Sequence, residues 1–366
     1  MSDTVASASA AGPPPGMAVR LSSNESPFGP SPAAVDALCR AATQAHRYPD
    51  DQSRQLRERL ARHEGVEVEQ VAVGTGSAGL LMDAVAHAGH GRADGPGNVV
   101  SFERAFVVYR LAARNAGAHY LEAPTGGVAT LDHDGYGRDV GALLDLIDER
   151  TRVVLVDNPG NPTGAHLTGE QLTELVAGVG EHVTIVIDEA YHDFAAGQRS
   201  YATVAELALE HPRLLVTRTF SKAHALAGLR VGYVLGPARL VAELDAWRVR
   251  FNVTATAQAA ALASLEDTDH IAACVKDTLE GRARMADHLR GLGVPFTDGL
   301  GNFLTIELGE SATGIVEAFA QRGIGVRPLA PYGMDEQIRV SVGTPAEVDA
   351  FCEAADDVLA GVPARG

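Results

Sequence analysis

The segment 218–233, R-T-F-S-K-A-H-A-L-A-G-L-R-V-G-Y, constrains this chain more than any other. Short apolar runs at 213–217 and 229–235 read as buried strands, so a loop between them carries a hydroxyl pair, a lysine and, eight residues on, an arginine. Lysine is scarce here: of 30 basic residues only Lys222 and Lys276 are lysines, so wherever a cation alone serves, the chain uses arginine. Arginine keeps its proton at any usable pH, whereas a lysine that is buried or near other cations gives it up. Lys222 is therefore a candidate nucleophile toward a carbonyl. Thr219, Ser221 and Arg230 add two hydroxyl donors and a forked cation, a set suited to a phosphate dianion. A phosphorylated aldehyde would meet both its amine and its anion clamp in this loop. The bland alternative, a solvated Ser-Lys turn and an ordinary arginine ion pair, is weighed by what the rest of the chain supplies.

The wording S-K-A-x-A-L-A-G-L-R-x-G-Y resembles the lysine motif of fold-type I pyridoxal-phosphate enzymes and is similar to the histidinol-phosphate aminotransferase branch. The resemblance implies a three-layer α/β/α large domain with a mixed, mostly parallel seven-stranded sheet, and a small α+β domain. On that basis residues 46–254 form the large cofactor-binding domain, 17–45 and 255–366 the small domain with the N-terminal segment, and 1–16 a disordered tail.

Further motifs fall in the expected order. Residues 24–30 match the family's N-E-x-P-x-G-P segment, which gives Asn24 a place on the substrate side; as bare sequence it is a turn-rich surface loop before a helix at 33–45. Tyr48-Pro49-Asp50 matches Y-P-D, whose tyrosine in the family reaches the cofactor phosphate of the neighbouring subunit, implying a homodimer with shared sites. After a helix at 51–63, residues 71–78 join a strand to a helix through G-T-G-S. Backbone N–H groups at a helix start carry a partial positive charge of about half a unit, which favours phosphate. Gly76, Ser77 and Ala78 are the implied cup, although this chain has Ala78 and Gly79 where the family usually has an acidic residue. Phe106, with Tyr109 one turn on, offers an aromatic face for a pyridine ring, or else both are core residues of an amphipathic helix.

A strand at 152–157 leads to Asn161-Pro162-Thr163-Gly164, and the resemblance gives the Asn161 amide a hydrogen bond to the cofactor's ring oxygen. A strand at 183–187 ends in Asp188-Glu189-Ala190-Tyr191. A carboxylate at the C-terminal end of a parallel strand lies where α/β sheets bind ligands. Asp188 is implied to pair with the protonated pyridine nitrogen, and Tyr191 to bond the ring oxygen beside Asn161. Beyond a helical region begun at 247–252 and continued through 255–292, two arginines stand out near the C-terminus. Arg339 lies in I-R-V-S-V-G-T, matching the family strand whose fork holds a substrate carboxylate. Arg327, in G-V-R-P-L, matches the position contacting a distal acidic group.

Composition excludes several alternatives. With 366 residues, 46% hydrophobic and 21% charged, the chain can bury a large core. A net charge of −17 disfavours nucleic acid or an anionic membrane as partner, and no run approaches membrane-spanning length. Cys39, Cys274 and Cys352 form neither metal spacing nor a disulfide framework, which fits a reducing cytoplasm. The Asp132-His133-Asp134 run reads as a solvated loop, and no metal is expected. The reading is pyridoxal-5'-phosphate-dependent transamination between histidinol phosphate or a related amine and a 2-oxo acid such as 2-oxoglutarate. Lys222, Asp188 and Tyr191 are its catalytic residues. An aromatic or secondary-metabolism amino acid is the alternative substrate, and a decarboxylase or oxidase on the same scaffold the alternative chemistry.

Overall fold

A computed structural model of the protein describes residues 18–93, 95–126, 136–309, 312–360 and 362. The expected tail at 1–16 and the Asp132-His133-Asp134 run lie outside the described residues.

In chain order the strands are β1 (Val19–Arg20), β2 (Val71–Gly74), β3 (Asn98–Phe102), β4 (His119–Ala123), β5 (Thr151–Asp157), β6 (Thr184–Asp188), β7 (Leu214–Thr219), β8 (Gly232–Leu235), β9 (Phe296–Thr297), β10 (Phe303–Glu307), β11 (Ile324–Gly325), β12 (Arg327–Leu329) and β13 (Met334–Ser341). Seven of them make one sheet in the order β2-β8-β7-β6-β5-β3-β4, in which only β8 runs antiparallel to its neighbours. Its strands are almost continuously apolar because both faces are covered. Val154, Val156, Ile185, Ile187 and Val216 enter one core. Their sequence neighbours Val153, Leu155, Val186 and Leu215 enter a second core with Leu81, Val85 and Tyr109 on the other side. This is a three-layer α/β/α arrangement.

A four-stranded antiparallel sheet, β12-β13-β10-β9, has its own core. Leu304, Ile306, Ile338 and Val340 pack there with Met285, Phe319 and Phe351 from the helices Thr268–Leu292, Ala312–Gln321 and Pro345–Val358. The last helix starts on a reciprocal cap, in which Thr344 accepts from the Glu347 backbone N–H while the Glu347 carboxylate accepts from that of Thr344. The helices Pro32–Ala42 and Ala255–Glu266 place Ala34, Ala257, Ala260 and Ala261 in the core of the large sheet, not in that of the small one.

Three element boundaries differ from the sequence expectation. The strand expected from 229 begins only at Gly232, because 227–229 form a short 3-10 turn and Arg230 adopts φ 53°, the left-handed region. Residues 247–252 do not open a helix: helix Ala238–Trp247 ends there, and the Asp51 carboxylate gathers Arg248 and the backbone N–H of Phe251 into an irregular loop. The helical region 255–292 is two helices, broken at Asp267.

Candidate active site

Four parallel strands bring their C-terminal ends, Phe102, Asp157, Asp188 and Thr219, to one edge of the large sheet, the place where open α/β sheets bind ligands. A cavity of about 320 Å³ opens there. It is lined by Ser77, Ala78, Phe106, Asn161, Asp188, Tyr191, Thr219, Ser221, Lys222 and Arg230 among others. Motifs spread over some 150 residues of sequence thus converge on one volume.

Lys222 sits on the tight turn after β7 and donates from Nζ to the Asn24 carbonyl oxygen at 3.1 Å, with the Tyr191 ring centroid 5.4 Å away. Burial, and after it the Arg339 cation, push its amine down to about 7. Asp188 is 1% exposed and accepts from Thr217 Oγ1 at 3.0 Å. Burial, then the adjacent Asp157 charge, push its carboxyl up to about 7. An amine and an acid that each change charge near neutral pH therefore share one cavity.

The side of the cavity that carries hydroxyl, backbone N–H and guanidinium donors is built from turns. The helix Gly76–Gly89 points its first turn at the cavity, with Gly76 at φ 73°. A Cβ on Gly76 would stand 2.7 Å from Arg230 Nη2, so only glycine leaves the guanidinium its place. The left-handed Arg230 in turn donates to the Ala227 carbonyl at 3.0 Å and to Ser221 Oγ at 3.4 Å. Thr219 Oγ1 donates to Ser221 Oγ at 3.0 Å and accepts from the Ser221 N–H at 3.1 Å.

Other expected residues stand behind the lining. Asn24, at φ 53° and 1% exposed, is held by Ser341, whose Oγ donates to Asn24 Oδ1 at 2.9 Å and accepts from its N–H at 2.8 Å. Its Nδ2 donates to the Tyr191 hydroxyl at 2.9 Å. Arg339 donates from Nη1 to Asn161 Oδ1 and from Nη2 to the Ser22 carbonyl at 2.9 Å, while its buried Nε has no partner. Arg327, its register partner across β12 and β13, donates to the same Ser22 carbonyl at 3.0 Å. Tyr48 is outside the cavity: it is 83% exposed and stacks on Phe251 with centroids 4.8 Å apart.

Sequence reasoning missed Asp157, Ser23 and Glu25, all of which line the cavity. Asp157 carried a readable signal, since it ends its strand as Asp188 ends the next. Asn302, which donates to the Asn24 carbonyl at 3.2 Å, had none.

A lysine and a buried carboxylate at the strand ends of a three-layer α/β/α fold, with hydroxyl and guanidinium donors beside them, define a transferase of the pyridoxal-phosphate-dependent type of fold. More specifically, the chain belongs to the class I and II aminotransferase family, whose model matches residues 17–354. It is 40% identical over 348 residues to histidinol-phosphate aminotransferase 2 of Methylococcus capsulatus, covering 93% of this chain and 90% of that one. It is 37% identical to an aromatic amino acid aminotransferase of Rhodococcus jostii, covering 91% and 88%. Among solved structures, histidinol-phosphate aminotransferase from Sinorhizobium meliloti in complex with pyridoxal-5'-phosphate superposes with a TM-score of 0.84 at 28% identity, covering 95% and 92%. Among the described residues no helix is long and apolar enough to cross a membrane.

Proposed function

We propose that this chain is a pyridoxal-5'-phosphate-dependent aminotransferase that moves an amino group between histidinol phosphate, or a closely related amine, and a 2-oxo acid such as 2-oxoglutarate. The observation that carries it is the joint presence of Lys222 and buried Asp188 in one cavity, beside Ser77, Thr219, Ser221 and Arg230. The donor set suits the cofactor: hydroxyls, helix N–H groups and a guanidinium for its phosphate, Phe106 for its ring face, and Asp188 for its ring nitrogen. When bound, pyridoxal phosphate supplies a carbonyl that takes an amine and a ring that draws electrons from the neighbouring carbon.

The chain's own groups do the rest. Lys222, with about half of its amines neutral near pH 7, would accept a proton from the substrate's Cα and return it to the cofactor carbon on the far side of the shared nitrogen. Asp188 stabilises a proton on the ring nitrogen. Tyr191 and Asn161 orient the ring oxygen, and Arg339 serves a substrate carboxylate while Arg327 faces a distal acidic group. We assign Tyr48 to the cavity of a second copy in a homodimer, Asn24 to the substrate side, and the protein to the cytoplasm, with the domain boundaries given above except that helices Pro32–Ala42 and Ala255–Glu266 go with the large domain.

Two experiments bear on this directly. The protein loaded with pyridoxal phosphate is offered histidinol phosphate, phenylalanine and tyrosine in turn, each with 2-oxoglutarate, and glutamate formation is followed. Histidinol phosphate is expected to react fastest; a preference for tyrosine would favour the aromatic reading that the Rhodococcus relative supports. Absence of glutamate with every donor would remove the reading. For Gly76→Ala, the positive φ and the 2.7 Å approach of Arg230 together cost about 1–3 kcal/mol. Pyridoxal phosphate titrated into that variant is expected to bind about tenfold more weakly or worse; equal binding would show that this turn is not the phosphate cup.

A further inference from the structure

Asp157 lines the cavity, yet no step of the proposed reaction uses it. It pairs in register with Asp188 across β5 and β6, so two carboxylates stand next to each other inside the sheet. One of them is paired. Arg138 Nη2 donates to Asp157 Oδ1 at 2.6 Å and Nη1 donates to the Asp157 carbonyl, with neither side chain more than 4% exposed. The other oxygen, Oδ2, accepts from the Phe106 N–H at 3.1 Å and from the Asn161 N–H at 2.8 Å. Those are the backbones of the ring platform and of the Asn-Pro-Thr-Gly turn, whose side chains both reach the cavity.

Arg138 is itself seated with care. An isolated antiparallel bridge joins it to Thr125, its guanidinium lies 5.3 Å from the Phe102 ring centroid, and it fills the space over Gly160. A Cβ at Gly160 would come within 2.1 Å of Arg138 Nη2.

We propose that Asp157 and Arg138 form one positioning unit of the site: the carboxylate fixes the backbone at Phe106 and Asn161 together, and the guanidinium offsets part of the charge that faces Asp188. The inference rests on the aminotransferase reading for what the cavity binds. The charged and titratable groups that act on Asp188 are Asp157 from β5, Lys222 from the turn after β7, Tyr109 from the helix Val108–Asn115 and Tyr191 from the turn after β6. Without Arg138, Asp157 becomes an uncancelled anion among them, and a like charge nearby favours the protonated form of Asp188.

The test titrates pyridoxal phosphate into protein freed of it, from about pH 6 to about pH 9, a range that spans the neutral region where the site's proton is at stake. Unmodified protein is compared with Arg138→Met, Arg138→Lys and the double variant Arg138→Met/Asp157→Asn. Arg138→Met is expected to bind at least about tenfold more weakly, with the pH midpoint of binding raised by about one unit. The double variant carries no charge at either position, so its midpoint falls back to that of the unmodified protein or below it. Arg138→Lys keeps the charge but not the fork, so it holds the midpoint while losing affinity. Should Arg138→Met fail to fold, the other two variants decide by their midpoints. An unmoved midpoint in folded Arg138→Met, or a double variant or Arg138→Lys with its midpoint raised, overturns the proposal. If the unmodified protein binds no pyridoxal phosphate, the aminotransferase reading falls and takes this inference with it.

Discussion

Lys222→Ala is expected to lower turnover by about 10⁴-fold, the upper range for loss of a positioned proton-transfer group, and to abolish covalent capture of pyridoxal phosphate. Borohydride reduction followed by peptide mass measurement reads the second effect: the unmodified protein gains mass on the peptide holding Lys222, and the variant gains none. Mass gain on the peptide holding Lys276 would move the chemistry to the wrong lysine, since that side chain is exposed and pairs with Glu280 at 3.6 Å. The same substitution has an opposite effect on the protein without cofactor. Burial holds the folded Lys222 amine at about 7, below its free value of about 10.4. Between those values the unfolded chain binds the extra proton, so this residue makes stability rise with pH through that window. The cost of burying the amine is fully present below about pH 7 and is relieved by about pH 10.4. Urea unfolding across this window is expected to show a shallower slope for the variant; parallel slopes would mean that the amine is not buried in the folded protein.

The large sheet was legible because its strands are apolar on both faces, so runs such as 152–157 and 183–187 stand out without alternation. The pair Lys222 and Asp188 was legible for a different reason: the motifs around them resemble those of a known family, and Asp188 also ends an apolar strand where α/β sheets bind ligands. Arg230 shows where this stops. Its motif marks the cation, but the left-handed backbone that turns it toward Gly76 and Ser221 is set by the turn at 227–229, which sequence reads as the start of a strand. Asn24 and Arg339 show a second limit. Their types and places were readable, yet their partners are 317 residues away at Ser341 and Ser22 respectively, and such contacts leave no periodic trace. The loop clasped by Asp51 likewise depends on tertiary hydrogen bonds that local propensity does not report.

Asp188→Asn separates two roles that one carboxylate plays. In the protein without cofactor, burial and the neighbouring Asp157 charge raise the Asp188 carboxyl to about 7, above its free value of about 3.9. The folded chain therefore binds the extra proton between those values. Stability falls as pH rises through that window, and the penalty stands in full above about pH 7. Asparagine can keep the hydrogen bond to Thr217 and carries no charge. The variant is therefore expected to be more stable than the unmodified protein at neutral pH, by up to about 4 kcal/mol, with the gap closing toward about pH 4. With pyridoxal phosphate bound the sign reverses, because a neutral amide cannot balance the charge of a protonated ring nitrogen. Removing one member of a buried charge pair costs about 3–5 kcal/mol, so turnover is expected to fall by about 10³-fold, and added cofactor should raise the melting temperature less than it does in the unmodified protein. A variant that loses stability at neutral pH, or that gains as much from the cofactor as the original, would show that this carboxylate does not face the ring.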